Sequence, residues 1–300
     1  MTGLRPTVLI AGHGQMGQAF EALLRGRATI ELWEVAPGRT ALAAAEHAAA
    51  ARAEFVFLCV PTQALAPVLA PLSPALPAAT ATISIAKGLD DTGLCAAGIL
   101  QRACGSRPWG VLGGPMIANE IIAGKAAFAE LGSHDETLPG RVQALFPQDR
   151  LKLTGTPNPQ AVSWCGVLKN IYAPLLGISD GLGWGDNTRG HIIMAAVDEM
   201  QAIVRELTGD AAWAYGDAGL ADLIATVTSP SSHHYALGRR VAGGDYGNLE
   251  CEGVHSLQAL AAGGRLDAGK YKLYGVAKSV LMEPYKRPGQ ALHDWLTTVN

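Results

Sequence analysis

The chain is poor in charge, in cysteine and in aromatic side chains. Charged residues make up 16% of its 300 positions and the net charge is −3, so there is no basic field to draw in nucleic acid or an anionic membrane surface. The five cysteines, Cys59, Cys95, Cys104, Cys165 and Cys251, are scattered and form no Cys-x-x-Cys pair. That excludes a disulfide frame and a zinc site, and fits reduced thiols in a cytoplasmic protein. No uncharged apolar run approaches the roughly 18 residues of a membrane span. The opening stretch MTGLRPTVLIAG is too short and too broken by glycine for a secretory signal. Repeats and low-complexity tracts are missing too, apart from an alanine-rich helix former at 41–53. Apolar residues, at 49%, and 36 glycines are abundant, enough material for two domains of about 100–200 residues each.

The glycines concentrate the information. Residues 7–20 read TVLIAGHGQMGQAF: an apolar run stops at Gly12, glycines recur at Gly14 and Gly17, and a helical pattern follows. Gly12 permits a tight turn, Gly14 lets backbone approach a pyrophosphate, and Gly17 lets the helix pack close to the strand, with Gln15 and Met16 between them. The helix N-terminus then offers free N–H groups to phosphate. A second strand, 29–33, ends at Glu34, which can accept hydrogen bonds from a ribose 2′-hydroxyl and repel a 2′-phosphate. Glu34 thus favours NAD, while Arg39 nearby leaves NADP possible.

Strand-like runs at 7–11, 29–33, 55–60, 81–85 and 110–113 alternate with helical stretches, notably 40–52 and 64–72, and 140–153 reads as a helix and a final strand. This is an α/β pattern: a doubly wound parallel sheet covered on both faces. After the proline-broken segment GTPNPQ (155–160) the chain becomes helical, with Val197, Met200, Val204 and Leu207 on one face. The expected domains are 1–159, binding a dinucleotide, and 160–300, mostly α-helical and carrying the substrate site.

Three strand ends offer chemistry along one sheet edge: Val60-Pro61-Thr62-Gln63, Ala86-Lys87-Gly88, and the glycine turn 113–120 with Gly114, Met116 and Ala118. In the second half, Lys169 and Asn170 lie within an apolar helix, where a lysine is costly unless paired or shifted in pKa. A desolvated lysine is a good proton donor to a carbonyl. Asp222 and Thr226, four apart, share a helix face and can hold Lys169 and a substrate hydroxyl, or else form a cap or a solvent-facing pair.

In order along nearly the whole chain, GHGQMG, CVPTQ, AKG (86–88), GGPMIANE, GVLKN (166–170), GISDGLGWGDN, GLADLIATVTS (219–229) and CEGV (251–254) resemble the NAD(P)-dependent glycerol-3-phosphate dehydrogenases. The resemblance implies a Rossmann-type N-terminal domain, a helical C-terminal domain and a homodimer. It implies hydride transfer between nicotinamide and C2 of glycerol 3-phosphate or dihydroxyacetone phosphate, in carbohydrate metabolism supplying phospholipid precursors. Carried over by residue, Lys169 is the general acid/base and Lys87 contacts substrate and cofactor. Asp222, Thr226 and Asn170 support the reacting end, Gly114 and Met116 line the substrate, and Val60, Pro61, Ala118 and Glu252 contact the cofactor.

The match fails at one place. Family members carry Ser-Arg-Asn, whose arginine and asparagine bind the substrate phosphate; here the residues are Ser232, His233 and His234. A guanidinium grips phosphate with a fork and is always charged, whereas imidazole offers one N–H to a given ligand and is mostly neutral near pH 7. Either the histidines bind phosphate best in mild acid, or the substrate bears a less charged head. Arg239 and Arg240 lie just beyond. Two other functions stay open: a hydroxyacid or ketoacid dehydrogenase of related build, and a non-catalytic NAD-binding sensor.

Overall fold

The computed structural model describes residues 5–35, 41–210, 212–283 and 287–298. Two compact units emerge, 1–87 with 94–163, and 88–93 with 164–300. The first holds seven strands, β1 (Thr7–Ala11), β2 (Thr29–Trp33), β3 (Phe55–Leu58), β4 (Ala81–Ser84), β5 (Trp109–Gly113), β6 (Ala127–Gly132) and β7 (Leu151–Thr156), in the spatial order 2-1-3-4-5-6-7. Helices α1 (Gln15–Leu24), α2 (Ala44–Ala50), α3 (Thr62–Leu72), α4 (Ala96–Cys104), α5 (Ala118–Ile122) and α6 (Leu138–Gln143) connect them.

The sheet is the mostly parallel, doubly wound one that the sequence implies, with one reversal. Strands β1 to β5 are parallel, but β6 pairs antiparallel with β5, and β7 runs parallel to β6. Strand β6 escaped the sequence pattern because AFAELG contains no β-branched residue and buries a charged one, Glu130; its place is set by the neighbouring strands and not by propensity.

Strands buried on both faces read as continuous apolar runs: β3 is FVFL and buried at every position. Helix α1 buries Ala19, Phe20, Leu23 and Leu24, one helical face. Phe20 packs with its ring centroid 4.9 Å from that of Phe57, and Phe146 meets both edge-on. Each such ring contributes about 2–3 kcal/mol on burial.

The second unit is helical: α7 (Pro159–Gly181), which starts in the first unit, then α8 (Gly185–Thr208), α9 (Asp222–Thr228), α10 (His233–Ala242), α11 (Glu252–Gly263), α12 (Lys272–Met282) and α13 (Pro288–Thr298). By length and composition α7 could cross a membrane, but its apolar window is entirely buried. Helix α8 buries Val197, Met200 and Val204 as its pattern predicts, while Leu207 is half-buried. Segment 88–93 is fastened within this unit: the Leu89 N–H donates to Ser256 Oγ at 3.1 Å, and Arg265 donates to the Gly93 carbonyl.

The glycine turn shows why glycine is needed. Gly12 has φ +92°, and a Cβ on Gly17 would lie 2.1 Å from the Gly12 carbonyl oxygen. A Cβ on Gly14 would meet nothing within 4 Å. Gly17→Ala should therefore destabilise the protein by about 2–3 kcal/mol in denaturant titration, whereas Gly14→Ala should stay within about 0.5 kcal/mol of the parent.

Candidate active site

Strand order reverses between β1 and β3, and in open α/β sheets ligands settle at the carboxyl ends of the strands flanking such a reversal. The glycine turn lies there. The Gly12 N–H donates to the Trp33 carbonyl at 2.8 Å, which sets the end of β2, and with it exposed Glu34, beside the turn. Gly14 is the exposed N-cap of α1 and supplies no side-chain cap. The first N–H groups of α1, with open space at Gly14, fit a pyrophosphate. Gln15 is exposed at the helix start, and Met16 packs partly against the core.

Across the turn, Val60 is buried against Gly12, and Pro61 is the exposed N-cap of α3. Burial pushes the Cys59 thiol up to about 12, so it stays protonated and unreactive. Half-buried Lys87, beyond the end of β4, donates to the Gly114 carbonyl at 2.9 Å and ties two strand ends together. The side chains of Met116 and Ala118 pack in the hydrophobic core of this unit. Arg39 lies outside the described residues.

Along α7 every residue from 161 to 179 is buried, including, in the second unit, Lys169, 6% exposed, and Asn170, 2% exposed. The Lys169 ammonium donates to Thr226 Oγ1 at 2.7 Å and lies 3.4 Å from Asp222 Oδ2. The Thr226 hydroxyl in turn donates to the Asp222 carbonyl at 2.7 Å. Asp222 and Thr226 thus face inward together on α9, and the cap and solvent readings fall away. A single π turn, Asp217–Ala221, delivers Asp222 to this position; such turns gather at functional sites. The turn closes because Gly219 has no Cβ, which would sit 2.1 Å from the Ala214 carbonyl oxygen.

Sequence reasoning missed the support behind Lys169. One helical turn along α7, the buried Tyr172 hydroxyl donates to Glu199 at 2.7 Å, and the same carboxylate accepts the N–H groups of Leu273 and Tyr274 at the start of α12. Burial raises Glu199 above the usual carboxylate range, and burial with the Glu199 charge raises Tyr172. A tyrosine and a glutamate 27 positions apart leave no local signal to find.

Helix α10 starts at His233, with Ser232 as a true N-cap accepting from the Tyr235 N–H at 3.3 Å. His233 is exposed and His234 half-buried. A Cβ on Gly253 would fall 2.2 Å from the Asn170 carbonyl oxygen and 3.1 Å from His234 Cδ2. His234 therefore sits at the seam of α7 and α11, close to the residue that follows Lys169, and half-buried Glu252 opens α11 beside it. Arg240 is engaged elsewhere, with Asp245 at 2.8 Å and the carbonyls of Gly247 and Asn248.

A buried ammonium stripped of its anion is expensive. Asp222→Leu should destabilise the protein by about 3 kcal/mol in denaturant titration, and Lys169→Met combined with Asp222→Leu should recover most of that loss.

Both halves of the chain resemble known proteins. The model for the NAD-dependent glycerol-3-phosphate dehydrogenase N-terminus matches residues 36–138, and the model for its C-terminus matches 158–279. The glycerol-3-phosphate dehydrogenase (NAD(P)+) of Synechococcus sp. strain RCC307 is 35% identical over 191 residues, 61% of this chain and 64% of the relative. That of Gloeobacter violaceus is 36% identical over 190 residues, 63% of this chain and 62% of the relative. The chain thus spans less than two thirds of the length of either. The crystal structure of glycerol-3-phosphate dehydrogenase from Coxiella burnetii shares the fold, with a TM-score of 0.83 at 23% identity over 97% of this chain and 99% of that one. A PanE/ApbA family ketopantoate reductase from Ralstonia eutropha shares it more loosely, at a TM-score of 0.54. Both halves of one enzyme family thus match in order, and the C-terminal match includes the helices that bury the lysine, aspartate and threonine together: the chain belongs to the NAD-dependent glycerol-3-phosphate dehydrogenase family.

Proposed function

We propose that the protein interconverts dihydroxyacetone phosphate, or a closely related small ketone, with its alcohol, using NAD(H) or NADP(H). The observation that carries this is the buried Lys169 ammonium, held by Thr226 at 2.7 Å with Asp222 at 3.4 Å. It does not point into bulk water, as a surface lysine would. A nicotinamide dinucleotide, when bound, supplies or accepts the hydride. Lys169 holds the carbonyl oxygen, stabilises the negative charge as it develops and delivers the proton; in the reverse direction it takes the hydroxyl proton. Thr226 donates its own proton to the Asp222 carbonyl and so presents a lone pair to Lys169, which fixes the direction of the ammonium. Asp222 keeps the cation tolerable in a dry site. Lys87 is assigned to substrate and cofactor contacts, Asn170 supports the reacting end beside Lys169, and Glu34 favours NAD. The free thiols support a reducing compartment.

The substrate's anionic end is assigned to Ser232, His233 and His234 at the start of α10. Each ring offers an N–H donor to the anion, where a guanidinium would offer a fork. In the reduction of dihydroxyacetone phosphate by NADH, followed by the loss of NADH absorbance, His233→Arg with His234→Asn should lower KM. Lys169→Ala should lower kcat by about 100-fold or more; a loss below about tenfold would remove Lys169 from its role. Turnover of an unphosphorylated ketone in place of dihydroxyacetone phosphate would reassign the head group and keep the hydride chemistry.

A further inference from the structure

Helix α10 lies on α7 almost without side chains between them. A Cβ on Gly177 would fall 2.2 Å from the Tyr235 carbonyl oxygen, one on Gly238 would fall 1.9 Å from that of Pro174, and one on Gly181 would fall 2.6 Å from Ala242 Cβ. Such contacts fix how far apart the two helices lie. Rotation of α10 about its own axis is restrained by this glycine lane and by the buried Leu237 and Val241, and a side-chain bond between the two helices locks it. The Tyr235 hydroxyl donates to Asp180 Oδ2 at 2.6 Å. Asp180, its side chain 7% exposed, is itself held by Arg189, whose Nε lies 3.0 Å from both carboxylate oxygens and whose Nη1 reaches Asp186 at 2.7 Å.

We propose that the Tyr235–Asp180 bond, braced by Arg189, is a positioning device: it sets the rotation of α10 and thereby aims His233 and His234 at the substrate's anionic end. Successive helix residues point about 100° apart, so fixing Tyr235 fixes His234 one step away and His233 two steps away. A 20° rotation of α10 would move a ring atom about 6 Å from the axis by roughly 2 Å, more than a hydrogen bond tolerates. Burial and the Asp180 carboxylate both raise the Tyr235 phenol above its ordinary range, so it remains a donor at neutral pH.

The inference rests on the substrate assignment above, so its test has two arms. Tyr235→Phe keeps the ring and its packing. It should raise KM for dihydroxyacetone phosphate about tenfold while kcat and KM for NADH stay within about twofold. In a background of His233→Ala with His234→Ala, Tyr235→Phe should have no further effect on that KM. The second arm is NMR of the imidazole Hε1 resonances of His233 and His234, with inorganic phosphate titrated in; Tyr235→Phe should displace both resonances and weaken their response. A KM unchanged by Tyr235→Phe, or a further tenfold rise in the alanine background, overturns the positioning role. Should the wild type ignore dihydroxyacetone phosphate, the substrate assignment fails and the resonances decide: displacement upholds the positioning role and unmoved signals end it.

Discussion

Lys169 carries a full charge into a helix buried along its length, and the second unit is arranged around making that tolerable. A lone buried ion costs several kcal/mol, so an anion and hydrogen-bond acceptors must be brought to it. Asp222 and Thr226 come from α9, 53 and 57 positions along the chain, and a π turn is spent on aiming them. Tyr172 and Glu199 then pin the same stretch of α7 to α8 and to the start of α12. The Lys169 ammonium is held by Thr226 and Asp222 and the helix that carries it is pinned by Tyr172 and Glu199, the preorganisation that the proposed proton transfer requires.

The first unit meets a different demand with glycine. A phosphate-binding turn needs backbone N–H groups at the surface and a helix pressed onto its strand. Gly14 provides the open approach and Gly17 the close packing, and a side chain at either would serve only one purpose. Gly114, whose carbonyl accepts from Lys87, extends this edge. The same economy recurs where α10 and α11 press against α7 through Gly177, Gly238 and Gly253, and there it places His234 beside the backbone of Asn170.

Much of this was legible in the residues. The strands from β1 to β5 announce themselves as apolar runs between turn residues, and β6 does not, because it has no β-branched residue and takes its place from Val111, Leu112 and Gly113 alongside. Lys169, Asp222 and Thr226 were legible as single residues of the right type. Their meeting was not, since spacing along a chain constrains contacts only within a helix turn or a strand pair. The core packing of Met116 was not legible either, because a methionine in a glycine-rich turn gives no periodic signal.

By itself the sequence determined the alternation of strands and helices, the glycine turn, a lysine set in an apolar helix and the pair His233 and His234 where the family resemblance calls for an arginine and an asparagine, all of which are local or compositional. Only tertiary structure decided the reversal of β6, the inward turn of Asp222, the Tyr172–Glu199 brace and the rotation of α10 set by Tyr235 and Asp180. The physical reason is the same in each case: these features depend on which distant groups share a dry interior, and the cost of leaving a buried charge or polar group unpaired is settled only when the chain has closed around it.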